Sequence, residues 1–397
     1  MSRAISVQTV RQARRVIKEL NLHGIEVAEE MHESARKAYR EVIELRMGSY
    51  IDRHLQETER LGGYDRRNGY YHRDFLTELG SIELCIPRTR TVSACDVIQK
   101  YARRTTKIEH VILAGFVLGL STRKVGKTLL HLLGEKVSPS TVSRVASMLD
   151  EAVQLFHRRP LRDRYVALLF DGVVLSRKTG AGAEKRPVLV AMGILEDGRK
   201  EIIDYALAAS ESEREWQRFL EGLYRRGLQG RGLKMIVVDG GKGLLGALDT
   251  VYHGIPVQRC LAHRIRNFEN KCKKSDWKKM KKGLHRIMNA KTEKKARSAA
   301  RRFADKWEQD YPVIVNGLKE TLDDLLVFFM FKDERWRKMT RTTNAIERRF
   351  REVRRRTRPM GVFSNRTSMD RILYAVFKNE NSNQGVTTPF LVLTQNN

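Results

Sequence analysis

Two short runs limit the fold of this chain more than anything else in it: Tyr165-Val-Ala-Leu-Leu-Phe170 and Leu233-Lys-Met-Ile-Val-Val238. Both are apolar almost throughout, without alternation of polar and apolar positions. A strand with one wet face alternates, whereas a strand covered on both faces does not. The two runs therefore predict buried strands in an α/β layer. Residues 187–195, 201–207 and 256–260 read as three more strands. A helix over 211–226 carries Trp216, Phe219, Leu220 and Leu223 on one side, and a short helix covers 242–251. The order is three strands, helix, strand, helix, strand, a mixed α/β arrangement.

The flanking sequence is helical and basic. Residues 34–60 read as one amphipathic helix, with Tyr39, Val42, Ile43, Met47, Tyr50, Ile51 and Leu55 at helical spacing, stopped by Gly62-Gly63. In Tyr64-Asp-Arg-Arg-Asn-Gly-Tyr-Tyr-His-Arg73 aromatics alternate with arginines around Asn68-Gly69. That suits a basic surface hairpin and, equally, a surface for phosphates and stacked bases, with Arg66 and Arg67 as contacts. Ile82-Glu-Leu-Cys-Ile86 alternates like a short strand that Pro87 ends. Residues 107–156 are helical, with a turn around Gly134, Ser138 as N-cap and Pro139 at the first helical position. Helix, short turn and capped second helix is the order of a helix-turn-helix, whose second helix enters the major groove. Its candidate contacts are Arg123, Lys124, Thr141 and Arg144.

Residues 264–335 read as all helix. Between 271 and 302 fourteen Lys and Arg face only Asp276 and Glu293, yet Trp277, Met280, Leu284, Ile287 and Met288 keep helical spacing. This predicts an amphipathic helix with a basic outer face, on which Lys278, Lys279, Lys281 and Lys282 are DNA candidates. A further basic helix covers 344–358, and a polar tail begins near 381.

Charge narrows the partner. Lys and Arg number 76 against 47 Asp and Glu, a formal net charge of +29. Such an excess points to a polyanion, nucleic acid first. With 41% hydrophobic residues, wholesale disorder is excluded. The longest apolar run, residues 111–120, is too short to span a bilayer, and the first residues do not form a secretory signal. Four cysteines do not make a disulfide framework. The expectation is a reduced, cytoplasmic, nucleic-acid-handling protein.

Three acids carry the chemistry. Asp171 follows the first buried strand, Asp239 follows the fourth, and Glu347 begins a basic helix far downstream. Acids at the carboxyl ends of strands lie where α/β sheets bind ligands. Hard carboxylate oxygens hold Mg²⁺ together with substrate phosphate, and two such ions serve phosphoryl transfer. Each acid alone has an ordinary structural explanation. Asp171-Gly172 suits a turn, and Asp239 suits an N-cap. Asn344-Ala-Ile-Glu347 matches a capping box, and Glu347 could pair with Arg351. Only the three together, in so basic a chain, favour metal-dependent cutting or joining of nucleic acid.

Two other motifs compete. Gly241-Lys-Gly-Leu-Leu-Gly246 matches G-x-G-x-x-G after a strand, but the next strand ends Cys260-Leu-Ala-His263 rather than in an acid for a ribose. Cys260 and His263, with Cys272 and His285, could be read as a zinc site. Their irregular spacing favours a structural role, with Cys260 buried and His263 hydrogen-bonded nearby.

Taken together, several segments resemble the Mutator-type transposases of bacterial insertion sequences, a DDE family with a ribonuclease-H-like core. They are Arg67-Asn-Gly-Tyr70, Gly80-Ser-Ile-Glu-Leu-Cys-Ile-Pro-Arg88, Leu120-Ser-Thr-Arg-Lys-Val125 and Val137-Ser-Pro-Ser-Thr-Val-Ser-Arg144. Asp171-Gly172, Val238-Asp-Gly-Gly-Lys-Gly-Leu244, Val257-Gln-Arg-Cys-Leu-Ala-His263, Thr343-Asn-Ala-Ile-Glu347 and Arg354-Arg-Arg-Thr357 complete the set. The resemblance runs from about residue 35 to 378. Val238 stands where the family usually has Ser, and Leu261 where it usually has a large aromatic.

The resemblance implies a multidomain α+β protein. A helical and hairpin DNA-binding region would span 1–106 and a helix-turn-helix domain 107–160. The ribonuclease-H-like mixed α/β catalytic core would comprise 161–263 and 340–380, interrupted by an all-helical insertion at 264–339, with a flexible tail from 381 to 397. Asp171, Asp239 and Glu347 would hold two Mg²⁺ ions, with Mn²⁺ able to substitute, and Cys260 and His263 would be the family's C-x-x-H pair. Arg351, Arg354, Arg355 and Arg358 would meet DNA. Activity would be nicking at the terminal inverted repeats and strand transfer into target DNA, by a homodimer or higher oligomer with no membrane partner. A DNA-binding regulator without catalysis is the alternative.

Overall fold

The computed structural model describes residues 7–98, 103–133, 137–179, 182–357 and 365–387. The chain divides into two compact units, Met1–Gly115 with Thr122–Val145, and Phe116–Ser121 with Ala146–Asn397.

In the first unit, α1 (Val7–Arg60) is one helix that begins well before residue 34. It ends at Gly62, whose φ of 74° favours glycine. Met47 and Ile51 of α1 are buried against Phe75 of β1 (Arg67–Thr77) and Ile82, Leu84 and Ile86 of β2 (Gly80–Thr89). The two strands pair antiparallel. The hairpin turn is not at Asn68-Gly69, as the dipeptide suggests. It lies at residues 77–80, where the Thr77 hydroxyl donates to the Gly80 carbonyl at 2.7 Å and accepts from the Leu79 amide at 3.1 Å. Asn68-Gly69 falls instead in the register shift between Arg67 and Tyr70, and Gly69 takes φ 70° there. That irregularity also accommodates Pro87, opposite Tyr70, so β2 continues past the proline to Thr89.

Helices α2 (Thr106–Val117), α3 (Thr122–Leu133) and α4 (Pro139–Ala146) follow. The turn around Gly134 lies outside the described residues. Ser138 caps α4 as expected: its hydroxyl accepts from the Thr141 amide at 3.1 Å. Gly126 sets the approach of the two helices, since a Cβ there would lie 2.3 Å from the Val137 carbonyl oxygen.

The second unit opens with α5 (Leu149–Arg158) and a hairpin of β3 (Tyr165–Thr179) and β4 (Gly182–Leu195), continued by β5 (Lys200–Leu207). Then come α6 (Glu213–Arg225), β6 (Met235–Val238), α7 (Lys242–Val251) and β7 (Val257–Arg259). The sheet order is β5-β4-β3-β6-β7, with β3, β4 and β5 antiparallel and β6 and β7 parallel additions beside β3. All four residues of β6 are buried, as an unbroken apolar run requires. Leu168, Phe170, Ile236 and Val238 join Trp216, Leu220 and Leu223 of α6 and Leu244 and Leu248 of α7 in one apolar cluster.

Between β7 and α13 (Asn344–Thr357) lie α8 (Leu261–Glu269), α9 (Lys274–Met288), α10 (Glu293–Trp307), α11 (Pro312–Leu326) and α12 (Glu334–Thr340). The single basic helix expected over 271–302 is two, because the chain turns at residues 289–292 and Thr292 caps α10. Gly283 of α9 and the Phe303 ring of α10 make their contact; a Cβ on Gly283 would meet the ring at 2.9 Å. The last helix, α14 (Arg366–Asn383), covers the sheet edge. Asn381, where the sequence suggests a loose tail, is buried, and its side chain bonds both the amide and the carbonyl of Ile202 on β5 at 2.7 and 2.9 Å. The edge strand thereby gains a partner that mimics backbone. Among the described residues no helix is long and apolar enough to cross a membrane.

Two glycine substitutions should move stability in opposite directions. Gly126→Ala forces a Cβ onto the Val137 carbonyl and should cost about 1–3 kcal/mol. Gly222→Ala, in α6 with nothing within 4 Å of the added carbon, should hold or raise stability by up to about 1 kcal/mol. Thermal unfolding of the two variants checks both signs.

Candidate active site

The parallel ladder between β3 and β6 ends at the pair Phe170 and Val238. The next residue on each chain is an aspartate. Because neighbouring strands run roughly 4.8 Å apart, the two carboxylates start from adjacent positions. Asp239 follows its strand directly, as the sequence suggests. Asp171 does not end its strand: β3 runs on to Thr179, paired with β4 through Asp171 opposite Val190. Phe170 points to the α6–α7 cluster, so alternation turns Asp171 to the other face, where α13 lies against β3. Asp239 is not a helix cap, since α7 is preceded by Gly241; its Oδ1 accepts from the Gly241 amide at 2.9 Å.

Glu347 reaches the same place from α13. Ile346, Phe350 and Val353 are buried and seat the helix, as their spacing predicts. The capping box does not form. Asn344 is already helical, and the amides of Ile346 and Glu347 bond the Thr343 carbonyl at 2.9 and 3.2 Å. Nor does Glu347 pair with Arg351. Its oxygen Oε1 lies 3.3 Å from Nε2 of His263 and 3.4 Å from Arg266. Glu352, the next acid along α13, is occupied by Arg355 and Arg356. Donor atoms of Asp171, His263 and Glu347 all lie within 4.8 Å of one another. Asp239 is outside that group.

Cys260 and His263 tie β7 to the start of α13. The Cys260 sulfur, fully buried, accepts from the Thr343 amide at 3.2 Å and from its hydroxyl at 3.4 Å. The same hydroxyl lies 3.3 Å from Nδ1 of His263. A protonated imidazole satisfies every contact: Nδ1–H donates to Thr343 and Nε2–H to Glu347. The bond to Cys260 and the charges of Cys260, Asp171 and Glu347 outweigh burial and raise His263 to about 9. Burial alone would raise the Cys260 thiol, but its bonds from His263 and Thr343 lower it. Cys272 and His285 stay outside any such grouping among the described residues, so a four-ligand zinc site does not assemble.

Asp171 is 6% exposed. Its one hydrogen bond is to the Gly172 amide, at 2.8 Å. Burial pushes its carboxyl up to about 7; His263 and the Gly172 amide pull against this, while Asp239 and Glu347 add to it. Among the described residues neither Asp171 nor Asp239 pairs with a Lys or Arg, in a chain that carries 76 of them. Hard carboxylates with no Lys or Arg paired to them suit a divalent cation, so the residues present fit one.

Sequence reasoning misses three residues near the site. Thr343 and Arg266 act only through the contacts above, and Glu211 has no motif to mark it. The expected DNA contacts are spread over both units. Arg66, Arg67, Arg123, Lys124 and Arg144 are exposed and Thr141 half-buried in the first; Arg67 pairs with Asp52. Lys278, Lys279, Lys281, Lys282, Arg351, Arg354 and Arg355 are exposed in the second, and Arg358 lies outside the described residues.

Residues 8–385 match the family model described as "Transposase, Mutator family". The chain belongs to that family and is a transposase. It is 28% identical to the transposase for insertion sequence element IS905 of Lactococcus lactis subsp. lactis (strain IL1403), over 88% of this chain and 89% of that protein. It is 32% identical to the transposase for insertion sequence element IS256 in transposon Tn4001 of Staphylococcus aureus, over 78% and 80%. To the transposase for insertion sequence element IS1081 of Mycobacterium tuberculosis (strain ATCC 25618 / H37Rv) it is 31% identical, over 79% and 75%.

The raised Asp171 carboxyl has a consequence for stability. Its favourable contribution is complete below the ordinary value of 3.8 and is lost as pH rises through about 7. Asp171→Asn is neutral throughout. In chelator, its melting temperature relative to the parent should therefore climb between about pH 4 and about pH 7 and level off above that. A constant difference across that interval would show that Asp171 does not titrate there.

Proposed function

We propose that this chain is a Mg²⁺-dependent DDE transposase that nicks DNA at insertion-element ends and joins the freed strand to target DNA. The observation that carries the reading is that donor atoms of Asp171 and Glu347 lie within 4.8 Å of one another, with Asp239 directly after the strand that pairs with β3 and no Lys or Arg paired to either aspartate among the described residues. The strand order β5-β4-β3-β6-β7, three antiparallel strands followed by two parallel ones, supports a ribonuclease-H-like core. Helices α8 to α12 are then its insertion.

Asp171, Asp239 and Glu347 would hold two Mg²⁺ ions, with Mn²⁺ able to substitute. Such ions polarise the scissile phosphate, activate the attacking oxygen and stabilise the leaving one. The chain's own groups do the rest. His263 and Arg266 fix the Glu347 carboxylate, and Thr343 and Cys260 fix His263. Arg351, Arg354 and Arg355 bring positive charge beside the acids for the DNA backbone. In the first step water opens a phosphodiester and frees a 3′-hydroxyl. In the second that hydroxyl attacks a target phosphodiester and displaces another 3′-hydroxyl.

DNA recognition is assigned to α3 and α4 for the element ends. The segment 64–73 and the lysines of α9 serve as phosphate contacts. Domain limits at 1–106, 107–160, 161–263 with 340–380, 264–339 and 381–397 belong to this reading, as do a cytoplasmic, nucleoid-associated location and a homodimer or larger assembly on paired ends.

Glu347→Gln tests it. Glutamine keeps the size of the side chain but not the charge that a Mg²⁺ site prefers. The variant should retain melting temperature and DNA affinity and lose nicking and strand transfer by several orders of magnitude. Near-normal strand transfer would remove Glu347 from the metal site, and DNA binding without cleavage in the parent would favour a regulator. A second test concerns readout. Arg144→Ala should lower preference for element ends over random duplex, whereas total affinity should fall with salt at a log–log slope of about −0.9 per phosphate contact. Competition binding decides; equal losses on both duplexes would move recognition to residues 64–73.

A further inference from the structure

The glycines of Gly241-Lys-Gly-Leu-Leu-Gly246 serve packing rather than a dinucleotide. A Cβ on Gly243 would come within 2.8 Å of both the Glu211 carbonyl oxygen and the Glu213 amide nitrogen. One on Gly246 would meet the Glu213 carboxyl group at 2.6 Å. Helix α7 thus seats the segment that leads into α6, and the position of Glu211 is fixed from below.

A third glycine fixes where its side chain goes. Gly172, the residue after Asp171, leaves room that the Glu211 carboxylate fills: a Cβ on Gly172 would lie 2.7 Å from Oε1 of Glu211. Gly172 does not need glycine for its backbone, which avoids the left-handed region. What it supplies is space on the α6 side of the strand, one residue past Asp171. Glu211 is exposed, and among the described residues neither a hydrogen-bond donor nor a cation is paired with it. Asp239 is close enough for its charge to act on the Glu211 carboxyl. Glu211 thus stands against Gly172, the residue after Asp171, and feels the charge of Asp239, while among the described residues no Lys or Arg pairs with any of the three carboxylates.

We propose that Glu211 is a fourth carboxylate of this site. It holds the divalent cation on the Asp171–Asp239 side by accepting hydrogen bonds from the water that the cation carries. The proposal rests on the metal-site reading above. Mg²⁺ dehydrates reluctantly and keeps several waters, so a carboxylate just outside direct contact finds donors there. Such outer partners orient the site, and losing one typically costs 10–100-fold in metal affinity.

The experiment is Mn²⁺ binding to the full chain by titration calorimetry, with Mg²⁺ titrations of nicking on an element-end duplex alongside. Glu211→Gln should bind Mn²⁺ about tenfold more weakly and need correspondingly more Mg²⁺ for half-maximal nicking, with melting temperature unchanged. Gly172→Ala, which pushes the same carboxylate aside, should reproduce the shift with Glu211 intact. Asp171→Asn is the reference and should abolish binding. If Asp171→Asn loses Mn²⁺ while Glu211→Gln binds like the parent, the proposal is overturned and the three-acid site stands. If Asp171→Asn also binds like the parent, the site reading falls and takes the proposal with it.

Discussion

The parallel ladder between β3 and β6 closes at Phe170 and Val238, and the site depends on that stopping point. Inside the ladder each residue is committed to a backbone bond on one side and apolar packing on the other. One residue beyond it, the two chains part and polar side chains find solvent at last. Asp171 stands on the boundary, since it still pairs with β4 on its other side. That pairing is why it is nearly buried, and burial is why its carboxyl titrates far from the usual range. Asp239, on the shorter strand, escapes the ladder and is half-exposed.

Glu347 must be brought to this boundary from 176 residues away in sequence, across a whole set of helices. The connection that fixes it is short. Cys260 leaves β7 and bonds Thr343, the residue before α13, while the Leu261 amide bonds the Arg341 carbonyl at 3.1 Å. The two ends of the helical segment are thus held together at its root, one beside the other. The C-x-x-H spacing follows from the same geometry. Cys260 sits at the strand end and His263 one helical turn on, so both face Thr343 and the imidazole also reaches Glu347.

Much of this was legible in the residues. Unbroken apolar runs marked β3 and β6 because full burial leaves no reason to alternate. The apolar stripe of Ile346, Phe350 and Val353 marked the seated face of α13. Local signals failed where tertiary contacts outweighed them. Asn68-Gly69 has the composition of a hairpin turn but forms a bulge, because the buried faces of β1 and β2 fix a register that places the turn at 77–80. Asn344 and Glu347 have the spacing of a capping box but form none, because Thr343 is held in place by Cys260 and starts the helix one residue earlier. Gly241-Lys-Gly-Leu-Leu-Gly246 has the spacing of a phosphate loop, yet its glycines admit the backbone before α6.

What the sequence determined by itself is whatever depends on neighbours along the chain: strand burial, helix faces, the Ser138 cap, the net charge and the identity of the acids. Tertiary structure decided which of those acids meet and what else stands among them. His263 beside Glu347, Glu211 against Gly172 and Asn381 on the edge of β5 join residues 84, 39 and 179 positions apart. Such contacts leave no periodic trace. They arise from the register of the sheet and the closeness of helix packing, and a glycine in the sequence does not announce which carboxylate will fill the space it leaves.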